Sequence, residues 1–245
     1  MSTETLFWLV VPGLATGLGG LALLVVPRPS DRMLDALLGF TAGIMLAATA
    51  FSLLVPALDL GSVWEVLAGF GLGAIVLLAL DYAIPHVHAR FAEPGHTLDP
   101  RRRQALLLVS ALTIHNVPEG LAVGVAFAAG GSELGIPIAL AIGIQNIPEG
   151  FAAAAPLAAA SPGLAARVGA ATGLVEPPAA LAAYAAFEFA EALLPLGLGF
   201  AAGAMLYVVA DELIPESHSR GNERIASGAL LGGFALMMLL DNVFA

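Results

Sequence analysis

The sequence predicts an all-α integral membrane protein: eight transmembrane helices, with helices 1–3 repeated in inverted form by helices 6–8 around a central pair, helices 4 and 5. Three observations carry that expectation. The first is composition. Of 245 residues, 59% are hydrophobic and 11% charged, with a mean hydropathy of +0.90, whereas a soluble domain carries about 25% charged residues. The second is segment length. A bilayer core takes about 20 apolar residues per helix. Cutting the chain at its polar punctuation leaves eight such stretches, at about 5–26, 33–58, 63–88, 104–129, 134–160, 164–187, 191–217 and 225–244, within one domain spanning 1–245. The third is the placement of positive charge.

The chain has nine arginines and no lysine. Arg28 and Arg32 fall between the first two stretches; Arg90, Arg101, Arg102 and Arg103 fall in or beside the loop at about 89–103; Arg167 follows the fifth stretch, and Arg220 and Arg224 follow the seventh. All of them lie on one side of an eight-helix path, and a miscounted span would scatter them. The positive-inside rule makes that side cytoplasmic and puts both termini outside, here across a bacterial inner (plasma) membrane. No stretch alternates with period two, which excludes a β-barrel. The first stretch lacks a basic leader and reads as a retained span rather than a cleaved signal. A net charge of −10 at pH 7 leaves no basic patch for nucleic acid. The absence of Cys excludes disulfides and thiolate metal sites.

Two short matches suggest that the repeat is inverted. "GFTAGIML" (Gly39–Leu46) resembles "GFAAGAML" (Gly199–Leu206), each followed by a polar turn and a proline, Pro56 or Pro215; "ATGL" occurs at Ala15–Leu18 and at Ala171–Leu174. These pair span one with six and span two with seven. An odd number of spans separates the partners, so the second copy crosses in the opposite sense, as in transporters whose substrate site lies at the midplane. Taken one at a time, such small-residue motifs are also helix-packing seams.

The chemistry concentrates in spans four to six. "HNVPEG" (His115–Gly120) recurs as "QNIPEG" (Gln145–Gly150). His115 and Glu119 are four residues apart and share a helix face, as do Gln145 and Glu149, with Asn116 and Asn146 on its flank. Pro118 and Pro148 each remove a backbone donor, so both helices are expected to kink and to release the carbonyls of Ile114 and Ile144. Glu176, followed by Pro177 and Pro178, is mid-span in helix six, and Met45 is mid-span in helix two. One acid at the bilayer centre costs about 2.5–3.5 kcal/mol, so three cost on the order of 8–10 kcal/mol before compensation. Apart from Arg167 near the start of the sixth stretch, no Arg or Lys lies within a span to neutralise them. Such acids are either protonated or bind a cation. Carboxylates with an imidazole and amides suit Zn²⁺, Cd²⁺, Fe²⁺ or Mn²⁺, while the imidazole argues against Ca²⁺ or Mg²⁺.

These motifs resemble the ZIP (Zrt/Irt-like) metal transporters, particularly their GufA-type branch, and the resemblance covers nearly the whole chain. It implies the ZIP fold and a divalent-metal importer that takes Zn²⁺ as transported substrate, with Cd²⁺, Fe²⁺ and Mn²⁺ as further candidates and no organic cofactor. It also implies two adjacent sites. The primary site uses His115, Glu119, Gln145 and Glu149 with Met45 nearby. The second uses Asn116, Asn146 and Glu176 and shares Glu119 and Glu149 as bridges. The mechanism implied is elevator-like alternating access, with helices one, four, five and six sliding against the rest. Asn146 stands where some members have Asp, which removes one negative charge from the second site. Asp211 stands where some relatives have His.

Acids outside the cluster mark a path. Ser52 and Asp59 are candidate entrance residues, with Glu65, Glu133, Glu188 and Glu191 on the same outward side; Asp81, Asp211, Glu212, His86 and His88 are candidate exit residues, with Glu216, His96 and His218 beyond them. Each of these also reads as an ordinary solvated helix end. The expected partners are divalent ions, the bilayer and, through the glycine seams, a second copy in a homodimer. The chain is expected not to be an enzyme. Two alternatives use the same ligands: an intramembrane hydrolase whose metal activates water, although H-E-x-x-H is absent, and a passive metal channel.

Overall fold

The computed structural model describes residues 1–91, 100–158, 161–188 and 190–244, with the side chains at 81, 83–91, 100–113, 115, 188, 191 and 244 left out of the description. Every regular element among the described residues is helical. Helix α1 (Thr3–Ala22) is capped by Ser2, whose hydroxyl accepts from the Thr5 N–H, and α2 (Asp31–Leu60) is capped by Ser30 in the same way at Met33. Helix α3 is Val63–Phe91. The long helix Pro100–Ala158 breaks at Gly130 (φ −135°) and Gly131 (φ 56°, ψ −138°), which separates α4 (100–129) from α5 (132–158). The left-handed φ at Gly131 is one that L side chains rarely adopt. Helix α6 (162–188) carries a 3₁₀ turn at Gly173–Val175, α7 is Leu194–Ser217, and α8 is Glu223–Phe244.

Among the described residues, six helices are long and apolar enough to cross a membrane: Thr3–Ala22, Asp31–Leu60, Val63–Leu80, Asn116–Ala158, Leu194–Ser217 and Glu223–Val243. The fourth, at 43 residues, is about twice the length of one crossing. The α6 region is absent from this set because its 3₁₀ turn divides it into helices of 11 and 13 residues.

The expected breaks at Pro118 and Pro148 do not occur as departures from helical geometry: within Pro100–Ala158 only Gly130 and Gly131 leave helical dihedrals. A single proline removes one hydrogen bond, and neighbouring helices in a packed membrane protein hold the backbone in place. The widened windings lie in α2 and α7 instead. Each contains a π-helical segment, Ala48–Leu54 and Val209–Leu213, just ahead of Pro56 and Pro215. The polar stretches that follow the two GFxAGxML motifs are therefore π turns within continuous helices.

Packing divides the helices into groups. Helix α1 lies against α5 and α6, and α6 against α4; α2 pairs with α8, and α3 with α7. Glycines carry the closest approaches. A Cβ at Gly19 would meet the backbone of Ile147, one at Gly150 that of Thr16, and one at Gly20 that of Gly169. Between α2 and α8, Gly39, Gly43 and Gly233 press on Ala226, Leu230 and Phe40; between α3 and α7, Gly199, Gly203 and Gly73 press on Val66, Phe70 and Phe200. Every glycine-to-backbone closure among the described residues stays within α1/α4/α5/α6, within α2·α8 or within α3·α7. Contacts between the groups, such as α2 with α5, are made by side chains in the apolar core.

A polar clasp closes the Arg-bearing end of α2. The buried Asp35 accepts from Arg220 Nη1 at 2.9 Å and from Asn222 Nδ2 at 3.0 Å, and Arg220 also pairs with Glu216. On the sequence alone Arg220 marks only topology. Its charge is matched to a buried partner on α2, 185 residues back in the chain. Trp64, Leu67 and Ile75 on α3, and Leu231 and Leu239 on α8, are exposed, as helix faces in contact with lipid tails should be.

Candidate metal site

The polar residues of spans four to six converge in the interior of the α1/α4/α5/α6 group. Asn116, Glu119, Gln145, Asn146, Glu149 and Glu176 are all buried, the most accessible being Glu149 at 2% exposure. The Glu149 carboxyl lies within electrostatic reach of both Glu119 and Glu176. His115 sits on α4 one turn before Glu119, and its side chain lies outside the described set. Met45 is buried on α2. One turn before it, Thr41 Oγ1 donates to the Gln145 carbonyl at 3.4 Å, which sets that face of α2 against the α5 motif.

Local chain geometry explains how the groups meet. The 3₁₀ turn before Pro177 sends the Glu176 N–H to the Gly173 carbonyl. Asn116 Nδ2 donates to the Thr172 carbonyl, at the start of that turn, at 3.0 Å. The motif glycines set the spacing. A Cβ at Gly120 would strike the Glu176 carbonyl and one at Gly150 the Thr16 carbonyl, so P-E-G brings each acid to a wall of bare backbone.

The donors and acceptors are then counted. Gln145 Nε2 donates to Glu119 Oε1 at 2.5 Å. Asn146 Nδ2 donates to the Pro12 carbonyl at 2.9 Å and to Glu176 Oε1 and Oε2 at 2.9 and 2.8 Å; Thr16 Oγ1 donates to Glu176 Oε1 at 3.0 Å. All three amide nitrogens are therefore engaged by the protein. This fixes the amide orientations, because a flip would set oxygen against oxygen. The oxygens left over are Asn116 Oδ1, Gln145 Oε1, Asn146 Oδ1 and Glu119 Oε2, each buried and accepting no hydrogen bond. A buried polar atom without a partner costs about 1–3 kcal/mol. Four together, all of them acceptors, fit an electron-pair acceptor such as a metal cation. Among the described residues no three His, Asp or Glu side chains form a ready cage; the open donors are largely amide oxygens.

The path residues are more dispersed. Ser52 is buried and donates to Asp241 Oδ1 at 2.7 Å, tying the π segment of α2 to the far end of α8. Asp59, Glu65 and Glu133 are exposed, as is Asp211, while Glu212 is half-buried on the π segment of α7. His218 is held by Ser217, the Ile214 carbonyl and Ser227. Asp81, His86, His88, His96, Glu188 and Glu191 have side chains outside the described set. Sequence reading missed Asp241 and Thr16. A lone acid in the apolar run "MMLLDN" signals the first, and the repeated "ATGL" contains the second.

Known proteins share much of this sequence. The family model described as "ZIP Zinc transporter" matches residues 93–241, more than half of the chain. The chain belongs to the ZIP family. Its relatives include the zinc transporter GufA of Myxococcus xanthus, 44% identical over 95% of both chains. The zinc transporter ZIPB of Bordetella bronchiseptica is 43% identical over 93% of this chain and 77% of that protein. The zinc transporter ZIP11 of Homo sapiens is 33% identical over 92% of this chain and 93% of that protein. Within the family, the chain falls in the GufA-type branch. This ZIP protein is an integral membrane protein built of helices, and its family and relatives are transporters rather than enzymes.

Proposed function

We propose that this ZIP protein imports a divalent transition metal, zinc first, into the cytoplasm through the buried site between α4, α5 and α6. One observation carries the reading: four buried oxygens of the paired motifs, on Asn116, Glu119, Gln145 and Asn146, accept no hydrogen bond, while the amide nitrogens of the same motifs are pinned by the protein. Glu119, Gln145 and Glu149 supply oxygens to the ion, joined by His115, Asn116 and Met45. Two carboxylates against one dication leave little net charge to bury in the membrane.

Eight crossings are part of the proposal. The 43-residue segment Asn116–Ala158 counts as parts of two crossings folded back at Gly130–Gly131, and the two pieces of α6 count as one. The inverted repeat is supported by packing. Exchanging one with six, two with seven and three with eight turns the pair α2·α8 into α7·α3. The glycine contacts exchange with it: Gly39 on Ala226 and Gly43 on Leu230 correspond to Gly199 on Val66 and Gly203 on Phe70. The π segments of α2 and α7 are exchanged likewise.

Movement of the α1/α4/α5/α6 group against α2·α8 and α3·α7 would carry the site from one face to the other. In support, no glycine-to-backbone closure joins the groups among the described residues, so the boundary is crossed by side chains. The Arg-bearing end is proposed as cytoplasmic, with Ser52 and Asp59 toward the entrance and Asp211 and Glu212 toward the exit. The test is Zn²⁺ entry into proteoliposomes containing a trapped indicator. Wild type should give saturable uptake, and Glu149→Ala should give the rate of empty vesicles. Uptake linear in metal concentration would favour a channel. Tightly bound metal without any entry would sink the carrier and point to the hydrolase alternative.

A further inference from the structure

Glu176 is the third buried acid of the site, and its surroundings differ from those of Glu119. Its Oε1 accepts from Thr16 Oγ1 at 3.0 Å and from Asn146 Nδ2 at 2.9 Å, which uses both lone pairs of that oxygen. Its Oε2 accepts from the same nitrogen at 2.8 Å. Asn146 Nδ2 thus stands almost equidistant from the two carboxylate oxygens, where a cation held by both of them would sit. The nitrogen cannot turn away without losing its bond to the Pro12 carbonyl at 2.9 Å. It would also set Asn146 Oδ1 against the carboxylate. Glu119 accepts from one neutral donor, Gln145, and its further side-chain partner is the acid Glu149.

We infer that in this chain the Asn146 N–H fills the position a second cation would take on Glu176, so that the buried site holds one divalent ion, centred on Glu119, Gln145 and Glu149. Glu176 is a positioning residue. Through Thr16 and Asn146 it ties α1, α5 and α6 behind the ion, and its charge is met by neutral donors rather than by metal. The inference rests on the metal-carrier reading above and narrows it from two adjacent sites to one. It also makes residue 146 the determinant of stoichiometry: an acid there removes the N–H, adds an acceptor facing Glu176 and opens a second cation position.

The experiment is metal content and calorimetric titration of purified, metal-stripped protein with Zn²⁺ and Cd²⁺. Wild type is expected to bind one ion per chain, and Glu176→Gln also one, because the carboxamide oxygen still accepts from Thr16 and Asn146. Asn146→Asp is expected to raise the content to two. Two ions on wild type overturn the inference, as does loss of an ion on Glu176→Gln or a single ion on folded Asn146→Asp. If Asn146→Asp does not fold, wild type and Glu176→Gln still decide between one and two. A wild type that binds no metal and gives no uptake in proteoliposomes rejects the carrier reading itself.

Discussion

The α1/α4/α5/α6 group and the pairs α2·α8 and α3·α7 are assembled by the same device and bury opposite kinds of group. In both, glycine lets one backbone rest on the carbonyl of another: Gly150 on Thr16 in the first, Gly43 on Leu230 in the second. Inside the first lie three carboxylates and three amides. Inside the pairs lie mainly aliphatic side chains, such as Leu38, Leu198 and Met205, and the polar ties sit toward the ends, Asp35 with Arg220 and Ser52 with Asp241. Lipid supplies no hydrophobic drive between helices, so close backbone contact is what holds either unit together. The difference lies in what each unit must do once assembled. The unit with the proposed metal site leaves several oxygens unpaired, while among the described residues of the pairs only Thr49 Oγ1 is buried without a partner.

Locking the two units together should produce the largest effect. The chain has no native cysteine, so Ala48→Cys with Ala141→Cys, two buried alanines of one small apolar cluster between α2 and α5, can be screened for a disulfide without background. Oxidation should abolish Zn²⁺ uptake and a reductant should restore it. Full uptake in the cross-linked protein would show that the units do not slide. Next in size is the glycine seam. Gly150→Ala should lower stability by about 1–3 kcal/mol through overpacking against the Thr16 carbonyl, visible as a lower melting temperature in detergent. On the same helix, Gly143 has only Pro12 Cα at 3.8 Å from an added Cβ, so Gly143→Ala should be neutral or gain up to about 1 kcal/mol. Equal losses at both positions would sink the idea that backbone contact welds this unit. The smallest effect is expected at Ser52→Ala, which removes the bond to Asp241 and should cost about 0.5–1.5 kcal/mol with metal stoichiometry unchanged.

The sites that could be read in the chain and those that could not differ in where their partners lie. Glu119 and Glu149 announced themselves because an acid in an apolar run is costly wherever the run folds, and the recurrence of N-x-P-E-G doubled the signal. Thr16 is an ordinary residue until α1 meets α6, and the lone acid Asp241 shows its partner only when α8 meets α2. The reading of Pro118 and Pro148 as breaks followed the local rule, but the backbone turns at Gly130 and Gly131 and widens in the π segments of α2 and α7. A lost hydrogen bond marks where a helix can yield, and its neighbours determine whether it does.

By itself the sequence determined the solvent, the helical class, the family and the residue types of the site, because hydropathy and charge placement act through the bilayer on each segment separately. Only the tertiary structure decided which oxygens stay open. That depends on Asn146 reaching Pro12 and Glu176 at once, on Gln145 reaching Glu119, and on glycines that let α1, α4, α5 and α6 approach backbone to backbone. Each of these is a distance between segments far apart in the chain, set by packing and by no property of either segment alone.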